Sequence, residues 1–346
     1  MSKNVFHASI EGAQHGAKTL DEFVNFAKTA GASGAEPSNY HIEDGNGGFK
    51  KAKEISDIFD KHGIKLDGIS CHCPIWVHTT AWTNSKTIRP FLPKSVWQKS
   101  ASEIESWAED YILRFLDLLA EMEIKIVPMF WGISHGFELA TGYPFGFFEG
   151  PEYDLIKEGN ERFVNKTSRI RQKANEHGIF LCHEIHPNSA ALCGDDFNML
   201  LEACDNDPCL GVTADPSHCW EGEDFETRFR KVGNRVYAAA VKNFIIRPGL
   251  NLRSMTSDWR KRAMQFCDIP TGDMNMMRFT ELLIDIGYPD NYCKIMDTDT
   301  APLVTEAESA YRDLDATSEN AIQYAANHLV FPIAQGNFED GMGADA

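Results

Sequence analysis

Two short segments place carboxylate and imidazole side chains at a spacing that suits a metal site. The first is Cys182-His183-Glu184-Ile185-His186-Pro187, in which Glu184 and His186 share a face if the segment is a β-strand, because side chains alternate along a strand. The second is Asp215-Pro216-Ser217-His218, which begins 31 residues after Glu184. A buried carboxylate is costly unless it pairs with a cation or binds a metal ion. An ion pair with Arg or Lys remains the alternative for Glu184.

A third acidic segment lies near the carboxyl end of the chain, in Ile295-Met296-Asp297-Thr298-Asp299. We predict that the eighth strand ends at Asp297, so that its carboxylate joins Glu184 and Asp215 as a metal ligand. Asp299 is the alternative on the same face, and both aspartates could instead cap a helix or form a turn. Oxygen ligands with at most one imidazole indicate Mn²⁺, with Mg²⁺ or Co²⁺ as alternatives, rather than a structural zinc ion.

These residues require a scaffold, and the chain alternates short apolar segments with longer amphipathic ones, as in a parallel sheet with crossover helices. The predicted strands are Val5–Ile10, Gly34–Pro37, Leu66–His72, Lys125–Trp131, Ile179–His186, Gly211–Asp215, Val236–Phe244 and Tyr292–Asp297. The predicted helices are Leu20–Ala30, Phe49–His62, Ser102–Met122, Asn160–Glu176 and Met274–Ile286. Eight strands favour a (β/α)8 TIM barrel over an open, doubly wound sheet.

Length and composition indicate one soluble domain that covers residues 1–346. The formal net charge of −18 makes nucleic acid an improbable partner, and no apolar run is long enough to span a membrane. The beginning of the sequence lacks a signal peptide, and the nine cysteines are dispersed. We therefore expect a cytoplasmic protein with reduced thiols. We also expect a homo-oligomer, with a small partner subunit as an alternative.

Two long insertions follow the third and fourth predicted strands, from Pro74 to Ser100 and from Gly132 to Glu158, and a C-terminal extension follows Asn327. Both insertions leave the face on which barrel enzymes build their active sites. They are rich in aromatic residues, among them Trp131 at the start of the second. Such side chains could contact the apolar faces of a sugar, or simply pack the loops against one another.

With these segments in place, the chain resembles the sugar phosphate isomerase/epimerase family of xylose-isomerase-like TIM barrels, from about Val5 to Leu329. The resemblance rests on Glu184-Ile185-His186-Pro187, on Asp215-Pro216-Ser217-His218, on Val241-Lys242-Asn243 and on the late carboxylates. It implies a divalent metal held by Glu184, Asp215 and Asp297. The family's fourth ligand is a histidine, which here falls on Ala240, either naturally or through an engineered substitution.

The resemblance also implies an activity: isomerisation or epimerisation of a small sugar by proton abstraction next to a carbonyl, through a metal-stabilised enediolate. Glu184 and Asp297 would be the acid/base pair, with His135 as a further candidate base. The implied substrate-binding residues are His186, His218, Lys242, Arg247 and Trp131, although Lys242 could equally pair with a carboxylate.

Three alternatives remain open at this point. Some proteins that resemble this group cleave C-glycosides or 3-keto-glycosides, and the long aromatic loops suit that lyase or deglycosidase reaction. A non-catalytic sugar-binding barrel, or an inactivated variant, is favoured by Ala240. A metal-dependent endonuclease on the same barrel is disfavoured by the net charge of −18.

Overall fold

The described part of the chain alternates short buried strands with longer helices. The computed structural model describes residues 4–13, 15–81, 86, 88–135, 154–252, 256 and 258–333. Its strands are β1 (Phe6–Ile10), β2 (Gly34–Ala35), β3 (Lys65–Leu66), β4 (Ile126–Met129), β5 (Phe180–Glu184), β6 (Leu210–Ala214), β7 (Val236–Val241), β8 (Asn243–Ile246), β9 (Met264–Cys267) and β10 (Ala301–Thr305). Its α-helices are α1 (Leu20–Ala30), α2 (Ala52–His62), α3 (His72–Thr79), α4 (Ala101–Glu121), α5 (Leu155–His177), α6 (Gly194–Ala203), α7 (Phe225–Val232), α8 (Met276–Asp285), α9 (Tyr288–Met296) and α10 (Leu314–Tyr324).

Eight of these strands form a parallel barrel. One sheet has the order β1-β10-β7-β6-β5-β4, and β2 pairs with β3. The two sheets are joined at both ends: the Glu36 N–H donates to the Ile10 carbonyl at 2.8 Å, and the Cys71 N–H donates to the Pro128 carbonyl at 2.9 Å. The predicted (β/α)8 TIM barrel is confirmed.

Local signals explain where the outer helices begin and end. Thr19 accepts from the Glu22 N–H and forms a capping box with this residue at the start of α1, and Gly31 ends the helix with a φ of 95°. That left-handed conformation strongly favours glycine, which has no Cβ to clash. Strands β1, β6 and β10 are buried along their whole length, as expected for parallel strands that are covered by helices.

The predicted eighth strand is wrong. Residues Tyr288–Met296 form helix α9, and Asp297 ends it in the left-handed region with a φ of 53°. Pro289 lies in the first turn of this helix, where proline is favoured because its missing N–H would have no partner. The eighth barrel strand is β10, which follows four residues after Asp297.

Two other predicted strands are shorter than expected. The segment predicted as Val236–Phe244 leaves the barrel after Val241, and β8 pairs instead with β9 in an antiparallel hairpin. The segment predicted as Leu66–His72 is strand only over Lys65–Leu66, and α3 begins at His72. The last two residues of the predicted seventh strand, Asn243 and Phe244, therefore belong to this hairpin.

The first long insertion is folded against the barrel. It contains most of α3, and four of its apolar side chains, Val77, Ile88, Leu92 and Val96, form a small cluster with Ile104 of α4. Trp82 and the aromatic residues of the second insertion between Phe137 and Phe148 lie outside the described residues, as does the chain after residue 333. Among the helices that the structure describes, none is both long and apolar enough to cross a lipid bilayer.

A buried histidine makes the stability of this fold depend on pH. Burial lowers the pKa of His78 from 6.5 to about 4. As pH falls below 6.5, the unfolded chain binds a proton at this position before the folded chain does, so stability declines down to about pH 4. We expect His78→Gln to flatten the dependence of unfolding free energy on pH by up to about 1.4 kcal/mol per pH unit. Urea unfolding between about pH 7 and about pH 5 measures this slope.

The control is Lys53→Gln, because the Lys53 side chain is 82% exposed. This variant is expected to keep the wild-type slope. An unchanged slope in His78→Gln would contradict the assignment of a neutral buried imidazole at this position.

Candidate active site

Carboxylates from three strands converge at the carboxyl end of the barrel. Glu184 is the last residue of β5, Asp215 follows β6 and Glu306 follows β10. One oxygen atom of each lies within 4.8 Å of the others, and all three side chains are buried. Because the strands are parallel, their carboxyl ends meet at one edge of the barrel. The structure thus brings Glu184 and Asp215 together, as their positions at the ends of consecutive strands predicted.

Glu306, and not Asp297, completes this carboxylate cluster. Asp297 precedes β10, whereas Glu306 follows it, so the two residues lie at opposite ends of the same strand. Asp299 also precedes β10. The sequence did carry a signal for the correct strand in Leu303-Val304-Thr305-Glu306, where two β-branched residues precede a carboxylate. Glu306 is thus the candidate for the two roles that were predicted for Asp297, namely metal ligand and acid/base.

Asp215 is fixed in position by three contacts. The Ser217 N–H donates to Oδ1 at 2.7 Å, and the Ser217 hydroxyl donates to Oδ2 at 2.9 Å. His218 Nε2 lies 3.1 Å from the same Oδ2. Burial alone would raise the pKa of Asp215, but the charge and hydrogen bond of His218 outweigh burial and hold this pKa below its usual value of 3.8. Asp215 therefore stays ionised and immobile.

Glu184 lies between two imidazole rings. His218 Nε2 is 2.9 Å from Oε1, and His72 Nε2 is 3.7 Å from Oε2. Burial raises the pKa of Glu184 to about 8. Burial lowers the pKa of His218, yet Asp215 and Glu184 more than reverse this effect and raise it to about 9. A carboxyl group with a pKa near neutrality is suited to accept and return a proton.

Lys242 follows β7 and points its ammonium group into the same region. Nζ is 3.1 Å from Glu306 Oε2 and 2.7 Å from Glu308 Oε1, and it lies 4.2 Å from the centre of the Phe266 ring. Burial lowers the pKa of Lys242, but Glu308 and Glu306 raise it well above its usual value. Lys242 is therefore a permanent cation that is paired with carboxylates. Of the two roles considered for it, substrate binding and pairing with a carboxylate, the structure shows the second.

The site contains more buried acids than cations. Glu11 and Glu36 are also buried beside the cluster, and burial raises the pKa of Glu11 to about 8. Burial and the charge of Glu11 likewise raise the pKa of Glu36. The cavity lined by Glu36, Glu184 and Glu306 encloses about 10 Å³, about the space of one water-sized sphere. This cluster of oxygen ligands around such a small space fits a divalent cation.

Ala240 also lines this cavity, and it pairs with Val304 of β10. The family's fourth ligand position is thus directed at the cluster, as the sequence predicted, but it carries only a methyl group. The neighbouring side chains leave no space the size of an imidazole ring in front of it. The charged groups that line this cavity are consequently the carboxylates Glu36, Glu184 and Glu306.

His186 and His218 lie next to the carboxylates, and each offers a nitrogen within 4.8 Å of a Glu184 oxygen. Their rings are 4.0 Å apart, and the Phe130 ring lies 4.8 Å from His186. Burial lowers the pKa of His186 well below 6.5, so its ring is neutral. His186 also lines a second, larger cavity of about 250 Å³, together with Cys73, Trp76, Phe91, Phe130 and residues Pro187 to Ser189.

The loop that carries Phe130 is packed tightly on α3. A Cβ at Gly132 would lie 2.1 Å from the Trp76 carbonyl oxygen and 2.2 Å from the Thr80 hydroxyl. No side chain fits at that distance, so glycine is required there for steric reasons. The wall of the larger cavity thus depends on this close approach.

Three residues predicted for the site lie elsewhere. Trp131 is 1% exposed and packs edge-on against Phe163 at 5.3 Å. His135 packs on α5, where Nε2 lies 3.2 Å from the Asn160 side-chain oxygen. The Arg247 guanidinium donates to the backbone carbonyl of Arg260 in the β8–β9 segment. None of the three is in the carboxylate cluster; each contacts residues outside it instead.

The fold and the cluster define a class: a TIM barrel with a cluster of buried carboxylates, consistent with a divalent metal, at the carboxyl ends of its strands. The family described as xylose isomerase-like TIM barrel matches residues 24–317. The chain belongs to this family.

Solved structures show the same fold at low sequence identity. A probable 3-DHS dehydratase of petrobactin synthesis from Bacillus anthracis is 15% identical, with a TM-score of 0.60 over 93% of this chain and 99% of that one. A D-allulose 3-epimerase from Methylomonas sp., in complex with D-allulose, is 12% identical, with a TM-score of 0.56 over 93% and 97%. A 3-keto-D-glucoside 4-epimerase from E. coli is 13% identical, with a TM-score of 0.57 over 93% and 98%. No curated protein matches the sequence.

Glu306 and Asp297 can be distinguished by their effects on metal affinity. Glu306→Gln removes a negative charge from the cluster and is expected to weaken Mn²⁺ binding by about tenfold or more. Asp297→Asn is the matched control, and it is expected to bind Mn²⁺ like the wild type because residue 297 lies at the other end of β10. Titration of free Mn²⁺ by electron paramagnetic resonance measures both affinities. Equal weakening in the two variants would contradict this assignment.

Removal of the Lys242 ammonium should make stability depend more strongly on the metal. Lys242→Met takes away the cation that faces Glu306, and we expect the metal-free protein to lose about 3 kcal/mol of stability. Mn²⁺ should restore more stability to this variant than to the wild type, because it supplies positive charge and binds only the folded state.

Chemical unfolding in the presence of EDTA or Mn²⁺ tests this prediction. Lys231→Met is the control: it breaks ion pairs with Asp195 and Glu223 at the surface, and solvent screens such pairs, so this variant should respond to EDTA and Mn²⁺ like the wild type. A Lys242→Met variant that is as stable as the wild type in EDTA would contradict the prediction.

Proposed function

We propose that this protein is a divalent-metal-dependent sugar isomerase or epimerase that removes a proton next to a carbonyl group. The observation that carries the proposal is the group of three buried carboxylates, Glu184, Asp215 and Glu306, two of which, Glu184 and Glu306, line a cavity of ion size. Epimerases with this fold among the solved structures support the reaction class. The cation we propose is Mn²⁺, with Mg²⁺ or Co²⁺ as alternatives, because the ligands are oxygens.

The metal would be held by Glu184, Asp215 and Glu306. When bound, it would act as a Lewis acid towards the oxygens of a sugar and so make the neighbouring carbon more acidic. Asp215 has the most fixed position of the three, since Ser217 and His218 hold both of its oxygens. Asp215 is therefore assigned a purely structural role as a ligand.

Glu184 and Glu306 are the acid/base pair. Both are buried carboxylates whose pKa is raised above 4.5 by burial, and they approach the same cavity from different strands. One carboxylate takes the proton from the carbon beside the carbonyl, and the same group or the other one returns it. Return to the opposite face gives an epimer, whereas return to the neighbouring carbon gives an isomer.

The surrounding cations and imidazoles hold the reacting groups in place. His218 donates towards Glu184 and Asp215, and Lys242 keeps Glu306 oriented and partly neutralised. His186 has a neutral ring beside Glu184 and can exchange hydrogen bonds with a sugar hydroxyl. The predicted substrate-binding role of His186 is retained here as part of the proposal, whereas His218 and Lys242 are proposed to position the carboxylates.

Deuterium exchange tests the proposed reaction before its products are known. Wild-type protein with saturating Mn²⁺ is expected to introduce deuterium from D₂O next to the carbonyl of a sugar such as D-fructose, D-allulose or a 3-keto-glucoside, detected by proton NMR. Glu184→Gln and Glu306→Gln should slow the exchange by about 10²–10⁴-fold. Metal content is measured in each sample, and Asp297→Asn serves as the active control.

Absence of exchange in the wild type with bound Mn²⁺ would contradict the proposal. It would instead favour a non-catalytic sugar-binding barrel, the alternative that Ala240 favours.

A further inference from the structure

The cavity at the carboxylates is too small for a substrate. It encloses about 10 Å³, which accommodates an ion or one water molecule. Among the cavities of the described residues, one larger space adjoins the cluster. It encloses about 250 Å³, and His186 belongs both to its wall and to the group of possible metal ligands. The body of a bound substrate must therefore extend towards this second cavity, which we call the aromatic pocket.

The aromatic pocket has an apolar wall on three sides. Trp76 and Phe91 meet edge to face with ring centres 5.2 Å apart. Phe130 closes the side next to the carboxylates, where it lies between the rings of His72 and His186 at 4.4 and 4.8 Å. Edge-to-face rings around an open space are suited to a further ring or a similarly flat group.

Three polar groups that line the aromatic pocket already have partners within the protein. The Trp76 indole N–H donates to the Asn188 carbonyl at 2.9 Å. The Ser189 hydroxyl donates to the Ala191 carbonyl at 2.9 Å, and His186 Nδ1 lies 2.6 Å from the Pro187 carbonyl oxygen. A free sugar would bury several hydroxyl groups here with few partners, which is unfavourable. The pocket is thus poorly matched to a hexose.

We propose that the aromatic pocket binds a flat apolar substituent of the substrate, so that the protein acts on a substituted sugar, such as an aryl glycoside, rather than on a free monosaccharide. This inference rests on the proposed function, since it places the sugar part of the substrate at the carboxylates. The size agrees with it: a cavity of about 150 Å³ holds benzene, so 250 Å³ accommodates one ring with its own substituents.

Phe91 is an exposed residue of the aromatic pocket. Its side chain is 49% exposed, in contrast to the buried rings of the barrel core. An exposed aromatic side chain at the mouth of an apolar cavity gains contacts when a ligand covers it. Phe91 and Trp76 are therefore the residues whose removal should affect an aryl group most.

Binding of phenyl β-D-glucopyranoside and of methyl β-D-glucopyranoside tests the proposal. Isothermal titration of the Mn²⁺-loaded wild type is expected to show at least about tenfold tighter binding of the phenyl compound, because only its ring buries apolar surface. Trp76→Ala and Phe91→Ala should each bring the ratio of the two affinities close to one. Tyr311→Ala, which removes a 67% exposed aromatic residue, is the control and should keep the wild-type ratio.

The same titration with Glu306→Gln separates this inference from the proposed function. That variant is expected to keep the preference for the phenyl compound although its proton exchange is impaired. Equal affinities for the two glucosides, a preference that survives in both pocket variants, or no binding of the phenyl compound at millimolar concentration would each overturn the inference. Proton exchange in the wild type without a phenyl preference would leave the proposed function intact and reject the aromatic pocket as a substrate site.

Discussion

The structure depends on the burial of negative charge at the carboxyl end of the barrel. Glu11, Glu36, Glu184, Asp215 and Glu306 are all nearly inaccessible to solvent, and charges in such surroundings are costly unless they are compensated. Lys242 and His218 supply part of the compensation. The remainder must come from protons or from a bound cation. The raised pKa values and the proposed metal site are thus two consequences of one electrostatic constraint.

The absence of a histidine at position 240 changes how this constraint is met. A neutral imidazole would add a ligand without adding charge, whereas the residues present are carboxylates and an ammonium group. Lys242, two residues further along the chain, lies within 3.1 Å of Glu306. Its positive charge competes with a cation for the same carboxylate. A site of this composition should hold its cation less tightly than one with a neutral fourth ligand.

Most of the barrel, but only part of the site, could be predicted from the sequence. Glu184 and Asp215 were found because each ends an apolar strand in consecutive βα units, where strand ends must meet. Glu306 was missed because Pro302 makes its strand look unsuitable for a sheet, while the apolar residues of α9 imitate a strand. The gathering of Trp76, Phe91 and Phe130 around one cavity could not be predicted, because it depends on loops whose conformation is set by tertiary contacts.

The close packing at Gly132 has a consequence for the diversification of this protein. Because a Cβ there would collide with Trp76 and Thr80, the loop after β4 cannot vary independently of α3. The indole of Trp76 is in turn bonded to the loop after β5 through Asn188. Three successive loops are therefore mutually constrained, and residue 91 at the rim can vary most freely. Evolution or engineering of new ligand preferences would then begin at the rim of the pocket, with its inner wall inherited unchanged.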